Sequence, residues 1–233
     1  IEAEGYQEGR LLLQDWLVLF LAKYQQHYGS HPDSILHPEH MCPAVASIPR
    51  WVYGLLRGPL LSSHTPLSAH RLSADLRTWM YTLYRSLPAP DLCTAIRPSL
   101  SAWSSPQSCE HRSLPCTWDA VRRSGCHLFI LDAYTHIYVY ALAAGVEEST
   151  VAMPPSLPPK SSVLWKQVLA LKQQRLRTAR ILVCQSGTPA GAAFESYIDS
   201  AHDAADVARA GQQGMFTFGT FLRFIHSELV ATG

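Results

Sequence analysis

The chain has 233 residues, of which 47% are apolar and 16% charged, with 19 Lys+Arg against 18 Asp+Glu and a formal net charge of +1. That length allows one large domain or two small ones, with enough apolar material for a core. The near-neutral balance argues against a nucleic-acid binder, which carries a basic face, and against an acidic solvating tail. The chain starts Ile1-Glu2-Ala3 without Met, and no basic segment precedes an apolar run. No signal peptide is therefore visible, and the start is expected to be a cut within a longer protein. The longest greasy stretch, Leu11 to Leu21, contains Gln14 and Asp15 and has about half the length needed to cross a bilayer. Six cysteines show no CxxC pair. Their spacing fits neither a zinc module nor a secreted disulfide framework, and they are expected to be reduced cytosolic thiols.

In chain order, Leu11 through Tyr28 reads as a helix stopped at Gly29, apolar nearly all round and so expected to be buried on several sides. After a Pro-rich stretch, Arg50 to Arg57 reads as a short helix ended by Gly58-Pro59. Ser73 is a candidate N-cap for a helix with Asp75 in its first turn. Leu72, Leu76, Trp79, Met80, Leu83 and Tyr84 form its apolar stripe, and Pro88 and Pro90 end it. A short apolar stretch, Leu92 to Trp103, is broken by Pro98. The polar run from 104 to 115 marks a predicted domain boundary. Beyond it, Leu128 to Leu131 and Ile137 to Tyr140 read as a β-hairpin in a well-covered sheet. A Pro-rich connector spans 145–160. Ser161 or Ser162 caps a helix bearing Leu164, Val168 and Leu171, and Ile181 to Cys184 is a further strand. Residues 185–214, rich in Gly, Ala, Ser and Asp, read as a mobile loop. Phe216 to Leu229 closes the chain as a strand or a helix.

Phosphate loops, dinucleotide fingerprints, HExxH and nucleophile elbows are all missing from the sequence. His37-Pro38-Glu39-His40 is the nearest approach to a metal motif, but its proline spoils a two-ligand helix face. Cys109, Glu110, His111, Cys116 and Cys126 are too irregularly spaced for zinc and read as a polar loop with small buried cysteines. His127 and His136 flank the hairpin as structural residues. Asp132 is expected to cap the hairpin bend through its carboxylate. No Ser/His/Asp spacing suggests a nucleophile with its base. What remains is the cluster Arg175, Arg177, Arg180 ahead of a strand. It reads either as a solvated helix end complementing the dipole or as an anion-recognising group.

The run from Leu128 to Tyr140 resembles the hairpin of gelsolin-like domains, closest to that of the GTPase-activating subunit of the COPII inner coat. Ile48-Pro49-Arg50-Trp51-Val52-Tyr53-Gly54-Leu55-Leu56-Arg57 is similar to that family's Tyr-Pro-Gln-Phe segment. Ala95-Ile96-Arg97-Pro98-Ser99-Leu100 is similar to its Ile-Gln-Pro-Ile-Leu. Trp16 to Tyr28 looks like the opening helix of the C-terminal half of its helical domain. Thr178-Ala179-Arg180-Ile181-Leu182-Val183 resembles its Gln-Ala-Arg-Phe-Leu-Leu motif, and Phe216 to Leu229 its closing segment. The order is preserved along nearly the whole chain. The sequence departs from the family where Gln174-Arg175-Leu176-Arg177 replaces Gly-Gly-Ser and is expected to continue a helix. The connector from Gly145 to Arg180 also lacks the family's Pro-Met-Pro-Arg-Tyr.

The resemblance implies an α+β fold: an all-α helical domain over 1–105, then a gelsolin-like α/β domain with a mixed central sheet over 106–233. It implies a COPII coat component that acts in endoplasmic reticulum to Golgi transport and stimulates GTP hydrolysis by the small Sar-type coat GTPase. Such a protein activates in trans and has no active site of its own. The family's arginine finger falls on Arg180, with Arg177 as its competitor. Arg175, Tyr134, Tyr138 and Tyr140 become candidate partner-binding residues, the tyrosines for proline-rich outer-coat segments. The other implied partner is the cargo-adaptor coat subunit. The implied location is cytoplasmic, peripheral to the membrane at endoplasmic reticulum exit sites and on COPII vesicles. No metal or cofactor is expected in this stretch; the family's zinc site would lie upstream. The rival readings are a silent paralogue or cargo-adaptor-type binding module, and an actin-binding gelsolin-type domain.

Overall fold

Helix α1 (Ala3–Tyr28) runs until Gly29, which turns the chain with a φ of +64° that a side chain would resist. A computed structural model describes residues 3–29, 31–37, 40–61, 64–65, 68–71, 74–142, 158–198 and 217–232. These residues divide into two units, α1 through α4 together with α9, and Leu87 through α8.

In the first unit, α1 is followed by a 3₁₀ turn (Pro32–Leu36), α2 (Pro43–Ala46) and α3 (Ile48–Arg57). A small ladder of β1 (His64–Thr65) and β2 (Ser68–Arg71) precedes α4 (Ala74–Ser86), and α9 (Phe218–Thr232) closes the chain. That ladder is a small addition to the expected helical unit, and the closing segment is a helix. Leu17, Val18 and Leu21 of α1 pack with Val52, Tyr53 and Leu56 of α3 and with Phe221, Leu222, Ile225 and Leu229 of α9. Arg10 donates from Nη1 to the carbonyls of Leu56 (2.8 Å) and Leu61 (3.0 Å), satisfying acceptors where α3 runs out of partners. Within its unit α1 is buried along one face only: Trp16 is 49% and Leu19 59% exposed, contrary to burial on several sides. Met80 and Leu83 of the expected α4 stripe are buried whereas Trp79 is exposed. Leu72 and the proposed cap Ser73 lie outside the described residues.

The second unit begins with α5 (Ala89–Ile96), entered through Pro88 and Pro90 at its first turn. Then come β3 (Ser99–Trp103), β4 (His111–Leu114), α6 (Trp118–Ser124), β5 (Leu128–Asp132) and β6 (His136–Ala141). Helix α7 (Val163–Gln173), β7 (Arg180–Gln185) and α8 (Pro189–Glu195) complete it. The sheet order is β4-β3-β5-β6-β7, antiparallel throughout except for the parallel β6–β7 pair. Residues 104–115, read from sequence as a boundary, carry the β3–β4 connection and β4 itself. The division falls between Ser86 and Leu87 instead of near 105, because β3 pairs along its length with β5.

Strand alternation sends Leu100, Phe129, Leu131, Tyr138 and Tyr140 to one face, against Val121 of α6 and Phe194 of α8. Trp103, Leu128, Ile130, Ile137 and Val139 go to the other, against Leu164 and Val168 of α7. Every residue of β5 is buried, as a strand covered on both faces requires. Ser162 caps α7 by accepting from the Trp165 N–H at 3.3 Å. The expected loop from 185 contains α8, whose small residues let it approach the sheet. A Cβ on Gly191 would stand 2.0 Å from the Gln185 carbonyl oxygen.

Candidate functional site

The hairpin bend between β5 and β6 is built by Asp132. Its Oδ1 accepts the Tyr134 N–H at 3.0 Å, the turn-capping role read from sequence. Tyr134 sits at φ +62°, an unusual conformation for a bulky side chain. Two further bonds close the bend: Ala133 N–H to the His136 carbonyl (2.9 Å) and Thr135 N–H to the Ala133 carbonyl (2.7 Å).

The free oxygen of Asp132, Oδ2, pairs with Nη2 of Arg175. Nη1 of the same guanidinium reaches Asp91 Oδ1 on α5 at 3.4 Å, and its carbon lies 4.9 Å from the centre of the Tyr134 ring. Burial raises the Asp132 carboxyl above its ordinary value, opposed by the Arg175 charge and the Tyr134 N–H. Burial likewise raises the Tyr134 hydroxyl, with the Asp91 carboxylate adding to it. A planar fork is the group suited to bridging two carboxylates while lying on a ring. With a side chain only 9% exposed, Arg175 is an internal anchor and not the partner-binding residue expected from sequence.

Helix α7 ends at Gln173, and residues 174–179 form a loop instead of continuing it. Arg177 lies exposed in that loop. Ala179 is buried and Arg180 opens β7. The Arg180 N–H donates to the Thr135 carbonyl at 2.9 Å, and its register partner is His136. Its side chain is exposed and forms no ion pair among the described residues. His136 is partly buried and contacts Thr135 Oγ1 through Nδ1 at 3.1 Å. Burial, aided by the Arg180 guanidinium, holds its imidazole below the ordinary 6.5. Arg177 and Arg180 thus share one exposed region at the end of a covered sheet, and Arg175 stands behind them.

The three candidate tyrosines do not form a groove. Tyr134, Tyr138 and Tyr140 are 0%, 4% and 0% exposed. Tyr140 stacks on Phe194 with centroids 4.0 Å apart and planes 7° apart, and its hydroxyl donates to Glu195 Oε1 at 3.0 Å. Burial pushes that hydroxyl up to about 12. Tyr138 packs against Phe194 and Tyr197 and is also raised by burial. The partner-binding expectation for these residues is corrected: α8 covers the β6 face that carries Tyr138 and Tyr140, and Arg175 lies over the ring of Tyr134 in the bend.

Among the described residues no three His, Cys, Asp or Glu side chains are placed to hold one metal ion. The described chain holds six free cysteines. Pro38 and Glu39 of the His37–His40 stretch lie outside the described residues. No described helix is long and apolar enough to cross a membrane. Asp91 was not singled out from sequence. The available signal was its partner: an ionisable Asp132 at the end of a wholly apolar strand needs a cation from elsewhere in the chain.

A helical unit joined to a mixed five-stranded sheet with helices on both faces defines an α+β protein of helical plus gelsolin-like type. No family model matches the chain. Protein transport protein SEC23 D of Arabidopsis thaliana is 28% identical over 224 residues, covering 92% of this chain and 29% of the relative. The crystal structure of the human COPII-coat protein Sec24c matches the fold with a TM-score of 0.68 at 16% identity, covering 97% of this chain and 29% of that one. The chain is thus similar in sequence to a Sec-type COPII coat protein and in fold to another, and it spans about three-tenths of the length of these two relatives.

Proposed function

We propose that the chain forms part of a COPII vesicle coat protein that stimulates GTP hydrolysis by a small Sar-type GTPase, with Arg180 as the arginine supplied in trans. The observation that carries this reading is the placement of Arg180. Its backbone is tied to the Thr135 carbonyl and to the β6 register, while its guanidinium projects without an ion pair among the described residues. A preorganised donor of this kind contributes most when its backbone need not reorganise at the moment of reaction. An arginine delivered to a transferring phosphoryl group accelerates hydrolysis by about 10³–10⁵-fold. Similarity to a SEC23 protein supports this over the cargo-adaptor reading, and Thr178-Ala179-Arg180 preserves the family's small-residue–arginine step.

The protein acts on its partner and has no reaction centre of its own. It works on the cytoplasmic side of the endoplasmic reticulum at exit sites, beside a cargo-adaptor subunit. Docking of proline-rich outer-coat segments draws no support from Tyr134, Tyr138 or Tyr140, which are buried.

The test is GTP turnover by the Sar-type GTPase with the full-length protein. Arg180→Ala is expected to lower stimulated turnover by about 10³-fold or more, and Arg180→Lys to restore little of it, since an ammonium lacks the planar fork. Loss of stimulation in Arg177→Ala with none in Arg180→Ala transfers the role to Arg177. No loss in either assigns the chain to the binding-module reading.

A further inference from the structure

The α7–β7 loop is pinned at both ends to one hairpin bend. At its start Arg175 pairs with Asp132, the first residue of the bend. At its end the Arg180 N–H bonds to Thr135, three residues further along the same bend. Asp132 also fixes the bend itself through the Tyr134 N–H. One carboxylate therefore shapes the turn that receives β7 and holds the loop that leads into it. Asp91 supplies the second arm from α5.

We propose that Arg175, bridging Asp132 and Asp91, is a positioning residue that sets where Arg180 emerges from the start of β7. The inference rests on the role proposed for Arg180. The bridge is largely shielded from water, so its geometry is averaged by solvent less than an exposed pair's would be. Its fork engages two carboxylates from separate elements, which fixes direction as well as distance. A reacting group displaced by about 1 Å loses about 10²-fold in rate, so an anchor five residues away is enough to govern it.

The experiment uses the full-length protein with the Sar-type GTPase under single-turnover conditions, varying the coat protein to saturation. Arg175→Met is expected to lower the saturating rate by about 10- to 100-fold, with the half-saturating concentration changed less than about threefold. Arg175→Lys, which keeps the charge but reaches one carboxylate, is expected to fall between. The second readout needs no GTPase. NMR titration of the His136 imidazole reports how closely Arg180 is held beside it, because the guanidinium adds to the depression that burial causes. Arg175→Lys is expected to move that titration upward, in the same direction as Arg180→Met. A folded Arg175→Met protein with an unchanged saturating rate overturns the positioning role. Should Arg175→Met fail to fold, the rate of Arg175→Lys decides in its place. If Arg180→Ala itself leaves turnover unchanged, the role proposed for Arg180 fails, and the His136 titration alone decides for Arg175: a shift supports the anchor and no shift overturns it.

Discussion

His136 and Arg180 occupy paired positions on the parallel strands β6 and β7, and burial, with the Arg180 guanidinium, holds the imidazole below its ordinary value. As pH falls below 6.5, the unfolded chain takes up a proton at this position that the folded chain refuses. The contribution of His136 to stability is therefore full above its ordinary value and is lost as pH falls toward the depressed folded value. Arg180→Met is expected to raise the folded value and narrow that window. Two-dimensional NMR of the imidazole C–H groups across pH 4 to 8 measures it; an unmoved His136 titration would show that the two side chains do not meet.

Thiol chemistry should separate the cysteines sharply. Cys42 and Cys109 are exposed, whereas Cys184 lies in the sheet with its thiol pushed up to about 12 by burial and the nearby Glu195 carboxylate. The thiolate is the reactive form. With a chromogenic disulfide at pH 8, Cys42 and Cys109 are expected to react at ordinary thiol rates, and Cys184 only after denaturant is added. Peptide mapping of the labelled protein assigns each site; rapid native labelling at Cys184 contradicts its burial.

Phe194 anchors α8 to the sheet. It is fully buried, stacked on Tyr140, and in edge contact with Tyr138. Phe194→Ala removes a ring from a packed site and is expected to destabilise by about 3–5 kcal/mol. Urea unfolding followed by tyrosine fluorescence gives the value, and a loss below about 1 kcal/mol is inconsistent with this packing.

Two glycines should respond to alanine with opposite signs. At Gly191 the added methyl meets the Gln185 carbonyl oxygen, while at Gly219 in α9 it meets nothing within 4 Å. Gly191→Ala is expected to cost about 1–3 kcal/mol through overpacking, and Gly219→Ala to stabilise by about 0.4–1 kcal/mol through the unfolded chain. Thermal melts of the two variants check the contrast.

The hairpin, the Gly29 stop, the Ser162 cap and the turn-capping carboxylate of Asp132 were legible because each rests on local chemistry: an apolar run, a special φ, a hydroxyl beside a helix start. The tyrosines misled because aromatic residues suit both grooves and cores. The period of two in β6 already put Tyr138 and Tyr140 on one face, and only the position of α8 decides that the face is covered. Arg175 misled for a different reason. Its neighbours Arg177 and Arg180 have the same side chain, and nothing local distinguishes them. The distinction comes from Asp132 and Asp91, distant in sequence and brought together by the sheet. The boundary read near 105 failed because a polar hairpin between β3 and β4 has the composition of a linker.

The parallel placement of β7 has a kinetic consequence. Strands β5 and β6 meet across a tight bend, so their pairing closes only a short loop. β7 reaches β6 only after the chain has travelled from Ala141 through α7, and long closures carry the larger entropy and form late. β7 also ends the sheet order, with β6 as its neighbour. It is therefore expected to dock after the β5–β6 hairpin in folding and to peel away before it in partial opening, with amide exchange running ahead of that in β5. The arginine proposed for chemistry thus rides on an edge strand of the sheet, and each departure of β7 would carry it out of position while the hairpin stays intact.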